Sequence, residues 1–212
     1  MFGPDMIFRL PALLIALTIH EYAHARVAVA LGDPTPKFQG RLTLNPIAHL
    51  DPIGLIMLWL VQFGWAKPVE VNARNFKNWD KDMMWVALAG PGSNILMAFT
   101  AGIVYAIVNK FGVNVDALNQ ILTLTCIYNI YFAILNLLPI PPLDGSKVLS
   151  NYLPKKYAYE YNNFARYGTF VLIGLVYLGI VGFIVSPISK VFLHMINTMI
   201  NIILYAEEIF NE

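Results

Sequence analysis

The sequence predicts an all-α polytopic membrane protein. It has about five to six helical segments, with a small re-entrant or β-hairpin region between the first helix and the next span. Three observations carry this reading. Hydrophobic residues make up 58% of the 212 residues and charged ones only 13%, whereas a soluble domain carries about 25% charge. Mean hydropathy is +0.59. Several apolar runs reach the length of about 20 residues that a helix needs to cross the hydrocarbon core.

Taken in order, the clear runs are roughly 6–31, 83–108, 118–138 and 167–186. Segment 52–66 is short and bounded by Pro52 and Pro68, so its crossing is ambiguous. Segment 188–206 is long enough, but Lys190, His194, Asn197 and Asn201 recur at spacings of four, three and four. That is one helix face, either turned into the bundle or lying at the membrane interface. Residues 33–51 are rich in turn formers around the alternating piece Arg41–Leu44. In GWAKPVEVNA, Val69 and Val71 alternate with polar neighbours, which suits a strand. The prolines of PIPPLDG (139–145) allow no helix through them. The chain reads as one membrane-embedded domain, 1–212, with a core of about 6–145 and C-terminal helices over about 166–210. Cys126, the single cysteine, forms no internal disulfide and suits a packed thiol. The N-terminus carries no pattern of a removable signal peptide. Net charge of +1 gives no reason to expect a nucleic-acid partner.

The first run contains LTIHEYAHARVAVALG, with His20, Glu21, His24 and Arg26 inside an otherwise apolar helix. His20 and His24 are four apart, hence on one helix face and able to reach one metal ion. Glu21 can approach a water on that metal. His-Glu-x-x-His on a helix supplies two zinc ligands and a general base. The same five residues also occur on soluble helices without metal. In a membrane span each charged group costs roughly 2.5–3.5 kcal/mol, and packing does not repay three in five residues. Zinc there acts as a Lewis acid and lowers the pKa of its water to about 7; Glu21 takes the proton and later hands it on to the leaving amine.

A catalytic zinc site uses three protein ligands and keeps one position open. Asp5, Asp116, Glu160, Glu207, Glu208 and Glu212 lie at span ends, in loops or in the tail, and His194 belongs to the ambiguous last helix. Asp144 stands out, in a proline-broken stretch just after a span. His49 and Asp51 of AHLDP are the second candidates, with turn stabilisation as their other role.

HEYAH at 20–24 and NLLPIPPLDG at 136–145 together resemble the site-2 proteases, membrane-embedded zinc metalloproteases that perform intramembrane proteolysis. The resemblance covers about 20–145. It implies that Asp144, the aspartate of the LDG motif, is the third zinc ligand, and that Asn136, eight residues earlier, helps hold the substrate or the oxyanion. AGPGSN (89–94) resembles a family feature ending in Asn94, a polar helper or else a helix–helix hydrogen bond. RLTLNP and GWAKPVEVN are similar to segments of the short, prokaryote-type members. Many members carry a PDZ or CBS domain. This sequence has no room for one, so control by such a domain is not expected.

The two motifs reach the same side of the membrane if segment 52–66 does not cross, because two crossings then separate them; if it crosses, no site forms. On the non-crossing topology Arg26, Lys37, Arg41, Lys67, Arg74, Lys77, Lys81, Lys147, Lys155, Lys156 and Arg166 share the motif face, against Arg9, Lys110 and Lys190 on the other. Basic residues favour the cytoplasm, which predicts a multi-pass cell-membrane protein with its catalytic end toward the cytoplasm. A straight helix from 118 to 144 would be about 40 Å long, so the prolines are expected to bend the chain back and bring Asp144 to a watery cavity. An unpaired edge at Val69–Asn72, through Val69 and Val71, could receive an unwound substrate as an added strand.

The expected function is therefore an intramembrane zinc metalloendopeptidase that hydrolyses peptide bonds within or near transmembrane segments. It would hold one Zn2+ and a bound water on His20, His24 and Asp144, with Glu21 as base. Its partners would be a transmembrane protein substrate and the lipid bilayer, and a homo-oligomer is compatible with the sequence. The alternative is a membrane metal transporter or metal-sensing protein using the same residues, which would show metal flux across liposomes.

Overall fold

The computed structural model of the protein describes residues 6–54, 56, 66–113 and 115–209. Eight α-helices lie among them. Helix α1 is Met6–Ala30, and α2 is the single turn Thr35–Phe38. Next come α3, Trp79–Lys110, and α4, Asp116–Asn136. They are followed by α5, Asp144–Tyr152, α6, Lys155–Phe164, α7, Gly168–Tyr177, and α8, Ile180–Ile209. Short 3-10 turns lie at Pro46–His49, Ala73–Asn75 and Ala165–Tyr167. Among the described residues, four helices are long and apolar enough to cross a membrane: Met6–Ala30, Trp79–Lys110, Asp116–Asn136 and Ile180–Tyr205. The chain is an all-α polytopic membrane protein.

The expected span at 167–186 needs correction. The helix stops at Tyr177, and Gly179 takes a left-handed φ of +74°. The amide of Leu178 bonds to the Gly174 carbonyl and that of Gly179 to Val176, both at 3.0 Å. Glycine adopts this conformation without a Cβ penalty and closes a helix C-terminus. A new helix then starts at Ile180 and runs through Pro187. The ambiguous segment 188–206 is thus the body of the fourth candidate span, and its hydropathy is as high as that of α3. Its polar stripe, Lys190, His194, Asn197 and Asn201, lies on the exposed side, while Val181, Val185, Ser189 and Ile196 are buried.

The strand expected at Val69–Val71 does not form. Among the described residues the only β pairing is one antiparallel bridge, Leu50 to Ala66. Lys67–Asn72 carries no regular structure, although Val69 and Val71 are half-buried and Glu70 and Asn72 exposed, as alternation predicted. Its amides find side chains instead of a neighbouring strand: Val69 donates to Glu21 and Asn72 to Asp33. Most of segment 52–66, including the question of whether it crosses, lies outside the described residues.

The chain divides into two compact units, with boundaries inside α1, α3, α4 and α7. One gathers Met1–Ala16, Asn94–Leu135 and Ile173–Glu212; the other gathers Leu17–Ser93 and Asn136–Leu172. In the first, small residues let helices approach. Ala98, Ala101 and Ala106 are buried, and a Cβ at Gly102 would stand 2.7 Å from the Ile196 side chain. The Cys126 thiol is buried and donates to the Ala98 carbonyl at 3.3 Å. In the second unit Ala28, Phe76 and Val86 form a small core against which Val71, Met83 and Leu31 pack. This core seats the segment after residue 66 beside the C-terminal half of α1.

Candidate active site

Three of the candidate side chains, His20, His24 and Asp144, converge in the second unit. His20 and His24 sit one turn apart on α1, and their rings meet edge-to-face with centroids 4.6 Å apart. Their Nε2 atoms are 3.0 Å from each other. Asp144, the first residue of α5, brings its Oδ2 to 3.1 Å from His20 Nε2 and 3.0 Å from His24 Nε2. All three side chains are buried. Among the described residues this is the only group of three or more His, Cys, Asp or Glu side chains that could hold a metal ion.

The chemistry of the donor set fits a divalent cation. His24 Nδ1 donates to the Val86 carbonyl of α3 at 2.7 Å. This fixes the tautomer in which Nε2 carries a lone pair. That lone pair faces a carboxylate oxygen at 3.0 Å, an arrangement that is repulsive unless a cation or a proton sits between them. Three donors each about 2.0–2.1 Å from one zinc ion in a tetrahedral set stand about 3.3 Å apart, close to the separations here. The other oxygen of Asp144 accepts from the Lys147 ammonium at 3.2 Å. This orients the carboxylate and leaves Oδ2 to the imidazoles.

Two glycines make this approach feasible. A Cβ at Gly90 of α3 would lie 2.6 Å from the Cε1 atoms of both imidazoles and from His24 Nε2. A Cβ at Gly145 would lie 2.2 Å from the Leu137 carbonyl oxygen, so the turn through Leu137–Leu143 passes tightly over the start of α5. The amide of Leu143 bonds back to the Ile140 carbonyl at 2.9 Å, and that of Ser146 to Leu143 at 3.0 Å. The chain therefore reverses after α4 and sets Asp144 against α1.

Glu21, the residue after the first histidine, is also buried. Its Oε2 accepts the Val69 amide at 3.0 Å, and the Arg41 guanidinium lies 4.0 Å from the same oxygen. Arg41 was legible in the sequence only as one more basic loop residue. In the structure it is buried and donates to the Ala48 and Lys67 carbonyls. Burial pulls its pKa down, opposed by the Glu21 and Glu70 carboxylates. Asp33 is a second residue the sequence did not single out. Its buried carboxylate accepts from the Thr35 amide and hydroxyl, the Asn75 side chain and the Asn72 amide, at 3.1, 2.6, 2.7 and 2.7 Å. Its one sequence signal was an aspartate two residues before threonine, which makes a local turn.

The remaining candidates are sorted by their contacts. Asn136 is the last residue of α4 and half-buried, at the entrance to the turn that carries Asp144. Asn94 is fully buried, and its amide donates to the Ala16 carbonyl at 3.0 Å and to Asn129 Oδ1 at 2.7 Å. These bonds match the helix–helix alternative expected for Asn94. Asn129 continues the chain by donating to the Thr125 carbonyl at 2.8 Å. His49 and Asp51 are not with the metal group. His49 Nε2 bonds the Thr43 carbonyl at 2.8 Å, and Asp51 accepts the Gly54 amide at 2.8 Å. Both hold turns. His194 is exposed on α8.

Peptidase family M50 matches residues 107–178, the stretch that contains Asn136 and Asp144. The chain is 39% identical over 168 residues to "Putative zinc metalloprotease YwhC" of Bacillus subtilis, covering 77% of each chain. It is 31% identical over 151 residues to "Putative zinc metalloprotease Rip2" of Mycolicibacterium smegmatis, covering 66% of this chain and 55% of that one. It is 28% identical over 148 residues to "Zinc metalloprotease MJ0392" of Methanocaldococcus jannaschii, covering 69% of this chain and 34% of that one. No solved structure gives a significant match. With a His/His/Asp group whose histidines lie on a helix long enough to cross a membrane, and a relative this similar over three quarters of both chains, the protein belongs to peptidase family M50, the site-2 protease family of zinc metalloproteases.

Proposed function

We propose that this protein is an intramembrane zinc metalloendopeptidase that cleaves other membrane proteins within or near their transmembrane segments. The observation that carries the proposal is the mutual approach of His20 Nε2, His24 Nε2 and Asp144 Oδ2 to 3.0–3.1 Å, the histidines on a helix long enough to cross a membrane and the aspartate just after another. In this reading the three side chains hold one Zn2+. Bound there, zinc supplies a Lewis acid and an activated water. His24 is oriented by the Val86 carbonyl and Asp144 by Lys147. Glu21 takes the proton from the attacking water and returns it to the leaving amine. One of its oxygens is already fixed by the Val69 amide, so the other is left for the water. Asn136, at the mouth of the turn, donates its amide to a substrate carbonyl.

A transmembrane substrate must be extended before it can be cut, because a helix hides its carbonyls in hydrogen bonds. In extended chain the amides at i and i+2 point to one edge. The Val71 amide therefore shares the edge on which Val69 faces Glu21, and the Asn72 amide turns to Asp33 on the other. With the Val69 amide held by Glu21, an extended substrate segment would pair through the Val71 amide and the carbonyls of this edge, and so pass the general base. The location follows from charge: eleven of the fourteen Lys and Arg residues lie at or beyond the motif-bearing ends of the spans, which favours a multi-pass cell-membrane protein with the catalytic end at the cytoplasm. The start of α8 at Ile180 moves Lys190 inside the fourth candidate span, so the opposite face keeps two basic residues, Arg9 and Lys110. A homo-oligomer is compatible with this arrangement. The test is cleavage of a single-span protein by the purified, zinc-loaded chain beside Glu21→Gln, which should keep the metal and lose about 10^3-fold or more in rate. Undiminished cleavage by Glu21→Gln refutes the mechanism, and zinc flux across liposomes without cleavage would favour transport.

A further inference from the structure

Arg41 is only 4% exposed, although it lies in a loop of turn formers. A buried arginine needs partners, and here they are two main-chain carbonyls far apart in sequence, Ala48 on Nη1 and Lys67 on Nη2. A planar fork of donors suits two acceptors held side by side. The same place carries the Lys67 amide bond to the His49 carbonyl at 2.9 Å and the Leu50–Ala66 bridge. The chain thus departs at 48–50 and returns at 66–67 under one guanidinium. Two residues later the Val69 amide meets Glu21, whose Oε2 is 4.0 Å from Arg41 Nη2. Lys67–Asn72 is consequently held at three points: by Arg41 at Lys67, by Glu21 at Val69 and by Asp33 at Asn72.

We propose that Arg41 is a positioning residue that locks Lys67–Asn72 against Glu21, so that the segment offering its edge to substrate and the general base form one hydrogen-bonded unit. The inference rests on the roles proposed above for Glu21 and for the Val69–Val71 edge. Arg41 bonds none of His20, His24 and Asp144, so metal binding is independent of it. Without the fork, the two carbonyls lose their shared donor, Lys67–Asn72 loosens, and substrate loses its template. A lysine carries one compact ammonium and cannot reproduce the fork.

The test uses the full chain in lipid nanodiscs, loaded with zinc, as wild type, Arg41→Lys and Arg41→Gln. Metal content, hydrogen exchange over residues 66–72, and kcat and KM on a single-span substrate are measured together. Zinc should stay at the wild-type level in all three proteins. Exchange over 66–72 should speed up by about tenfold or more in both variants, and KM should rise by about tenfold with a smaller fall in kcat. Unchanged exchange in Arg41→Gln overturns the proposal. So does full wild-type behaviour of Arg41→Lys, which would assign the effect to charge beside Glu21 and not to the fork. If Arg41→Gln does not fold, Arg41→Lys decides alone. Exchange does not depend on turnover, so an inactive wild type would refute the protease reading while the clamp is still measured.

Discussion

Replacing Gly90 by alanine should cripple the metal site without touching a ligand. The new Cβ would stand 2.6 Å from carbons of both imidazoles and from His24 Nε2. Carbon atoms rest at about 3.5 Å or more, so the rings must yield by about 0.9 Å. Metal–ligand distances tolerate only about 0.2 Å, and both rings are already constrained, His24 by Val86 and His20 by Asp144. Overpacking of this kind costs about 1–3 kcal/mol. Because the overlap falls on the ligand rings themselves, the cost should appear as zinc affinity lowered by about 10–100-fold, the range that follows loss of an orienting partner. The assay is competition for zinc against a chromophoric chelator in micelles, with thermal unfolding of the apoprotein as control. The apoprotein should lose no more than this overpacking cost of about 1–3 kcal/mol, because the rings must strain their bonds to Val86 and Asp144 to make room. Wild-type zinc affinity in Gly90→Ala would refute the claim that this glycine exists to admit the two histidines.

Asp33→Asn should destabilise the fold by about 2–3 kcal/mol, because one amide oxygen cannot replace a carboxylate that accepts four bonds; chemical denaturation measures it. Burial raises the Asp33 pKa, but its bonds from Thr35, Asn75 and Asn72 outweigh this and leave it below the ordinary 3.8. Its contribution is therefore complete above about pH 4 and is lost as pH falls through the depressed folded value, so wild type and Asp33→Asn should converge in stability under acid. Asn94→Ala should cost about 1 kcal/mol by leaving Asn129 Oδ1 without its donor, with zinc content unchanged; loss of zinc in that variant would contradict the purely structural role.

Much of the site was legible because its chemistry is local. HEYAH places two imidazoles and a carboxylate by helical spacing alone, and the resemblance carried by NLLPIPPLDG pointed to Asp144, with His49 and Asp51 left as second candidates. Membrane-span composition was equally local, and α1, α3 and α4 followed it to within a few residues. The expected span at 167–186 failed because hydropathy does not register a single left-handed glycine: Gly179 ends one helix inside a continuous apolar run. The strand at Val69–Val71 failed for a different reason. Alternation specifies which side chains are buried, and that held, but a strand needs a partner chain, and here the partners are the carboxylates of Glu21 and Asp33.

By itself the sequence determined the class of protein and placed two histidines and a glutamate at the spacing of a zinc site. These follow from composition, from an i, i+4 spacing and from the cost of charge in lipid. Only the tertiary structure decided that Asp144 and not His49 or Asp51 joins the histidines, that Asn94 ties helices together, and that Arg41 and Asp33 hold the chain against Glu21. Each of those depends on side chains meeting main-chain atoms from distant parts of the chain. Backbone carbonyls and amides are the same at every position, so no residue pattern announces which of them a buried arginine or carboxylate will reach.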